Sequence, residues 1–175
     1  MMPIMRVSAN WQIGLTAAAV YVADQLSKLV VMRLLDFHDE RVMVDGFFKF
    51  VHWDNTGAAF SMFYGNNGLL ALVSLIALAA LLFTRRHFEV DDPLGRVAIG
   101  LILGGILGNL TDRLRIGHVV DFLRFYLYQR GGSEIGFPAF NVADSGICIG
   151  VGLLFLLSFT VEKRAARPEV KPPAA

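Results

Sequence analysis

Three aspartates of this chain stand where a carboxylate is hard to keep ionised. Asp112 and Asp121 follow one long apolar run and Asp144 precedes the next, inside the stretches GNLTDRLRIGHVVDF (108–122) and FPAFNVADSGI (137–147). A carboxylate beside hydrocarbon is ordinarily paired, neutralised or used. Two of them brought to one face of a membrane bundle could share a proton and activate a water, because close like charges split their proton affinities. Such chemistry requires no metal, and His38, His52, His87 and His118 show no zinc-site spacing of the HExxH kind.

Other polar residues accompany these acids, each with a structural reading beside a functional one. Asp24 and Lys28 are four apart on one helix face, an ion pair that either pins a helix or braces a polar site. Asn109, Asp112 and Arg113 share a face near a helix end, as a structural network or as part of a site. Asn141 with Asp144 three later matches a helix cap and its N3 acid, which by itself accounts for both. Asn55, in the turn DNTGAAF, is either a turn former or an arm reaching a site.

The elements that must position these groups are membrane spans. Of the 175 residues 55% are hydrophobic and only 18% charged, with mean hydropathy +0.54, more apolar surface than a soluble domain of this size can hide. The apolar residues gather into four runs, each long enough or nearly so to cross roughly 30 Å of hydrocarbon. The expected fold is an all-α membrane protein, a single domain over 1–162, with spans at about 11–35, 68–84, 94–113 and 141–161. The first run is read as a retained span, since Tyr21 falls where signal cleavage after Ala23 would want a small residue.

Between the first two spans, 36–67 is polar and aromatic by turns. FFKFVHW there reads as extended, and Phe47, Phe48, Phe50, Trp53, Phe60 and Phe63 suggest a small interfacial β/aromatic platform in the first external loop. Residues 118–136 read as a second external loop. Gly100, Gly104 and Gly108, at spacing four, read as devices for close helix approach, and Pro93 suits the first turn of its helix. The basic, Pro-rich tail 163–175 is expected to be disordered and cytoplasmic.

The terminal segments and the loop after the second span hold eight Lys or Arg in 36 positions, against five in 59 for the two opposite loops. The greater density places both termini in the cytoplasm and every intramembrane acid in the outer third of the bundle. A net charge of +1 argues against nucleic-acid binding, and the lone Cys148 excludes an internal disulfide. A small four-helix transporter or channel is the rival class, although it predicts inverted repeats and midplane polar groups, where these polar groups lie at one end.

Taken in order, DQLSK from Asp24, NTGAAFS from Asn55, GNLTDRLRIGHVVDF and FNVADS resemble lipoprotein signal peptidase, also called signal peptidase II. The resemblance implies an aspartic endopeptidase of the bacterial cytoplasmic (inner) membrane, with its active site near the outer face and without a cofactor. Its substrates would be diacylglyceryl-modified prolipoproteins, cut N-terminal to the lipidated cysteine, and its partners would include membrane lipids and globomycin-type cyclic peptide inhibitors. It further implies Asp121 and Asp144 as the catalytic dyad. Asn55, Asn109, Arg113 and Asn141 would be polar supports, with Asp24, Lys28 and Asp112 also in family blocks. The chain departs from the family in GGSEIGFP before Ala139, which is longer and more Gly-rich and lacks a tryptophan often found there.

Overall fold

The structure, a computed structural model, describes residues 9–57, 65–84 and 92–165, with side chains from 10 to 159 within those ranges. Phe60, Phe63, His87, residues 85–91 of the charged loop and 166–175 of the tail lie outside the described residues. Among the described residues four helices, α1 (Ala9–Leu34), α2 (Asn67–Thr84), α3 (Pro93–Arg115) and α4 (Val142–Ala165), are long and apolar enough to cross a membrane. Four strands accompany them: β1 (Glu40–Val44), β2 (Phe48–Asn55), β3 (Val119–Tyr128) and β4 (Glu134–Gly136).

The helix at the centre is α3, which packs against all three others. Its most apolar stretch is 61% buried, against 17%, 11% and 17% for α1, α2 and α4. Glycine makes that centrality possible. A Cβ on Gly104 would lie 2.5 Å from the Ala17 carbonyl of α1, and one on Gly105 would collide with the Ala143 carbonyl of α4. Backbones therefore meet directly on both sides of α3, as small residues allow between membrane helices. Asp92 starts α3 by accepting the Leu94 N–H at 2.7 Å, with Pro93 in the first turn, where a missing N–H costs nothing. Away from the aspartates the bundle has a hydrophobic core, with Ile13, Ile99 and Leu103 buried against Ala17, Leu78, Leu81 and Leu154.

At the other end lies an antiparallel sheet in the order β1-β2-β3-β4. Extended structure was anticipated for FFKFVHW, whereas the stretch read as a plain second loop contains β3, ten residues of VVDFLRFYLY, and the short β4. Its β-branched and aromatic content suits a strand, and it pairs along β2 from Val119 opposite Asn55 to Phe125 opposite Phe48. Gly117, at φ +82°, makes the turn from α3 into β3, a conformation that side chains resist.

The sheet has two unlike faces. Phe47, Phe48, Phe125, Phe140 and Phe137 form a chain of ring contacts with centroids 5.1–6.1 Å apart. On the opposite side Lys49, 1% exposed, holds Glu40 of β1 and Glu134 of β4 at 2.7 Å each, above the Tyr126 ring. Burial works to lower the Lys49 pKa, but the bonds to Glu134 and Glu40 outweigh it and leave the pKa raised, so the ammonium stays charged and clamps both edge strands.

Candidate active site

Asp121 is placed by strand pairing. β2 carries a bulge between Phe50 and Trp53, after which Trp53 lies opposite Asp121 and Asn55 opposite Val119. Alternation then puts Trp53, Asn55 and Asp121 on one face. Asn55 serves both readings given to it, since its Oδ1 accepts the Gly57 N–H at 2.9 Å as a turn former while its Nδ2 donates to Asp121 Oδ2 at 2.9 Å.

Asp144 is brought to the same place from the other side. Phe140 bonds to Leu123 in both directions and accepts from Phe122, which sews the segment before α4 onto β3. Asn141 follows at once and caps α4: its Oδ1 accepts the Asp144 N–H at 2.9 Å, and Asp144 Oδ2 accepts the Asn141 N–H at 3.3 Å. The capping box inferred from the sequence is thus real. It is also the frame of the site, because the Asn141 Nδ2 left over donates to Asp121 Oδ1 at 2.8 Å.

Asn109 of α3 completes the link. Its Nδ2 donates to Asp144 Oδ1 at 2.7 Å, and its Oδ1 accepts from Asn141 Nδ2 at 3.2 Å and Lys28 Nζ at 3.1 Å. Lys28 is 2% exposed and lies 2.8 Å from Asp24 and 2.7 Å from Asp112. The Asp112 contact is one of charge, for Oδ2 has no aligned hydrogen-bond partner among the described residues, while Oδ1 accepts from Gln25 at 2.9 Å. Asp24 in turn accepts the Ala143 N–H at 2.9 Å, tying α1 to the first turn of α4. Gly108 is the gap that admits it, since a Cβ there would stand 2.5 Å from Asp24 Oδ2.

All nine residues singled out from the sequence therefore meet at one end of the bundle. Asp112 and Arg113 part company, however: Asp112 turns to Lys28, while Arg113 donates to the Gly57 carbonyl at 3.1 Å and lies 3.4 Å from Asn67 Oδ1. Gln25 and Asn67 were missed. Gln25 adjoins Asp24 within a polar DQLSK in a span, which was signal enough, whereas Asn67 ends a loop and carried none.

Asp121, Asp144, Asn55, Asn109 and Arg113 line one cavity of about 810 Å³, together with the apolar walls of Trp53, Phe137 and Phe140. Cys148, one turn beyond Asp144, also lines it. Asp121 is 3% exposed. Burial first, and then the charge of Asp144, push its pKa up to about 7 against the opposing Asn55 and Asn141 amides. A buried carboxyl titrating near neutrality, facing a second carboxylate across shared amides, is suited to acid–base work on a polar bond.

A family model described as signal peptidase (SPase) II matches residues 16–160. A lipoprotein signal peptidase of Symbiobacterium thermophilum is 41% identical over 148 residues, covering 85% of this chain and 94% of that protein. One from Geobacter metallireducens is 38% identical over 162 residues, covering 90% and 97%. A bacterial membrane enzyme solved by the in meso method at 2.3 Å superimposes with a TM-score of 0.74 at 29% identity, covering 90% of this chain and 93% of that one.

Proposed function

This chain belongs to the signal peptidase II family, and from that membership and the site's geometry we propose that it is an aspartic endopeptidase that removes the signal peptide from lipid-modified prolipoproteins, with Asp121 and Asp144 as its catalytic pair. The observation that carries the assignment is that these two carboxylates, joined through Asn109 and Asn141, face one cavity walled by apolar and aromatic side chains. A transporter is not favoured.

In the reaction the ionised carboxylate takes a proton from water as the water oxygen bonds to the scissile carbonyl carbon. The protonated carboxyl gives its proton to the carbonyl oxygen as the π bond opens. Collapse of the resulting diol breaks the C–N bond, with a proton passing to the leaving nitrogen, and restores one proton to the pair. Arg113 lines the cavity while holding the Gly57 carbonyl, so it fixes the 55–57 turn and places a cation beside the developing oxyanion.

The ring-bearing face of the sheet, with Phe47 and Phe137 exposed, would rest in the membrane interface and hold the diacylglyceryl group of the substrate. The positive-inside bias supports a cytoplasmic-membrane protein with both termini cytoplasmic and this face outward. Globomycin-type cyclic peptides would compete for the same cavity. The test is incubation of the purified protein with a diacylglyceryl prolipoprotein peptide, followed by mass spectrometry. Cleavage immediately before the lipidated cysteine is expected, and an intact peptide would refute the reading.

A further inference from the structure

The pair is not symmetric, and its asymmetry is written in groups whose donor or acceptor character is beyond choice. An ammonium only donates, so the oxygen of the Asn109 amide must face Lys28, and its NH2 must face Asp144. A backbone N–H only donates, so the oxygen of Asn141 must face Asp144 N–H, and its NH2 must face Asp121. Asp121 thus receives two side-chain amide donors, from Asn55 and Asn141, and Asp144 receives one, from Asn109, but the amide serving Asp144 is itself bound to a buried cation.

Two further differences act in the same direction. Asp144 occupies the third position of a 24-residue helix and accepts a backbone N–H of the capping box, where the helix terminus favours an anion. Asp121 lies in a strand and, among the described residues, accepts hydrogen bonds from the side-chain amides of Asn55 and Asn141 only. Asp144 is also partly exposed towards the cavity, whereas Asp121 is 3% exposed, and burial favours the neutral form. The other charged groups around the pair are Asp24 and Lys28 of α1, Asp112 and Arg113 of α3, and Asp54 of β2, which lines the same cavity and pairs with His118 at 3.0 Å; Arg113 is coupled to both carboxylates.

We infer that the single resting proton of the pair sits on Asp121 and the charge on Asp144, and that Lys28, acting through Asn109, is the positioning residue that maintains this asymmetry. Asp144 is then the base that takes the proton of the attacking water, and Asp121 the acid that protonates the carbonyl oxygen. This assignment rests on the catalytic reading above. The buried triad of Asp24, Lys28 and Asp112 gains a role in it beyond packing: it holds a cation behind the pair, linked by hydrogen bonds through Asn109 to Asp144, without exposing it to the cavity.

The pH profile of kcat/KM of the full-length protein in lipid tests the assignment, because the acid limb reports the base and the alkaline limb the acid. Asn55→Ala removes a donor that favours the charged form of Asp121, so the alkaline limb should move up by roughly one pH unit with the acid limb in place. Asn109→Ala and Lys28→Met should each move the acid limb up instead, and the two together no further than one alone. Movement of the acid limb by Asn55→Ala, or no movement of either limb, overturns the inference even if the α3 and α1 variants do not fold. Should Asn55→Ala be inactive, the protonated-carboxyl infrared band of aspartate-labelled protein decides, measured between the two limbs. Its loss in Asp121→Asn but not in Asp144→Asn supports the inference, and the reverse overturns it. Full turnover by Asp121→Asn would instead sink the catalytic reading itself.

Discussion

Asparagine in place of Asp121 or Asp144 keeps the shape of the side chain and many of its partners but cannot exchange a proton. Each single substitution should therefore lower kcat by several orders of magnitude with binding retained, and the double variant should be little worse than either, because members of one catalytic unit are strongly non-additive. Progress curves with lipidated peptide, beside a binding measurement, check this. Alkaline pH should mimic the loss. If Asp121 must carry a proton, turnover falls as pH rises through about 7, since the buried carboxyl then ionises. Lys28→Met has a different consequence: it leaves Asp24 and Asp112 buried without their cation, and removing one partner of a buried pair costs about 3–5 kcal/mol, which thermal unfolding in detergent would register. At this scale much was legible, because a charge beside hydrocarbon demands a partner and so draws attention. What one sequence does not carry is which partner is chosen: Asp112 faces Lys28 of another helix, while its neighbour Arg113 faces a loop carbonyl.

The elements carry these residues through contacts that leave no room for a methyl group, and that gives the glycines of α3 a ranking. Gly100 faces Thr16 and Ile13 in the apolar half, whereas Gly105 and Gly108 face Ala143 and Asp24 directly behind the proposed Asp121–Asp144 pair. Gly108→Ala should thus reduce turnover far more than Gly100→Ala for a comparable loss of stability, since it displaces the carboxylate that ties α1 to the first turn of α4. Gly14→Ala is the control: nothing lies within 4 Å of its Cβ, so stability should change by no more than about 1 kcal/mol and activity not at all. Assays normalised to folded protein separate the three. The four spans were legible from run length, and their observed ends differ from expectation by a few residues, within the usual drift of helix boundaries. β3 was not, although Val119, Val120, Phe122 and Tyr126 carry strand character, because its partner β2 lies some 70 residues earlier and only pairing makes a strand of it.

For the molecule as a whole, the decisive feature is polarity along the bundle axis. Asn109 lies 16 residues into α3, about 24 Å from its start at Pro93, and Lys28 lies at a similar depth in α1. Helices of alternating direction then bring the ends of α1 and α3 to the start of α4, and the sheet closes over that same end. The opposite half packs Ile13, Ile99 and Leu103, with Arg96 of α3 partly buried near the start of that helix. Such a molecule would act at one membrane face, and the outer face is the one proposed for the site, on the denser Lys and Arg of the termini and the loop after α2. Ser133, exposed in the turn between β3 and β4, should lie outside with the sheet. In a Cys148→Ser background, Ser133→Cys should accordingly react with a membrane-impermeant maleimide added to intact spheroplasts. Labelling only after the membrane is opened from the cytoplasmic side would invert the orientation, and would place the cavity where a translocated prolipoprotein cannot present its lipidated cysteine.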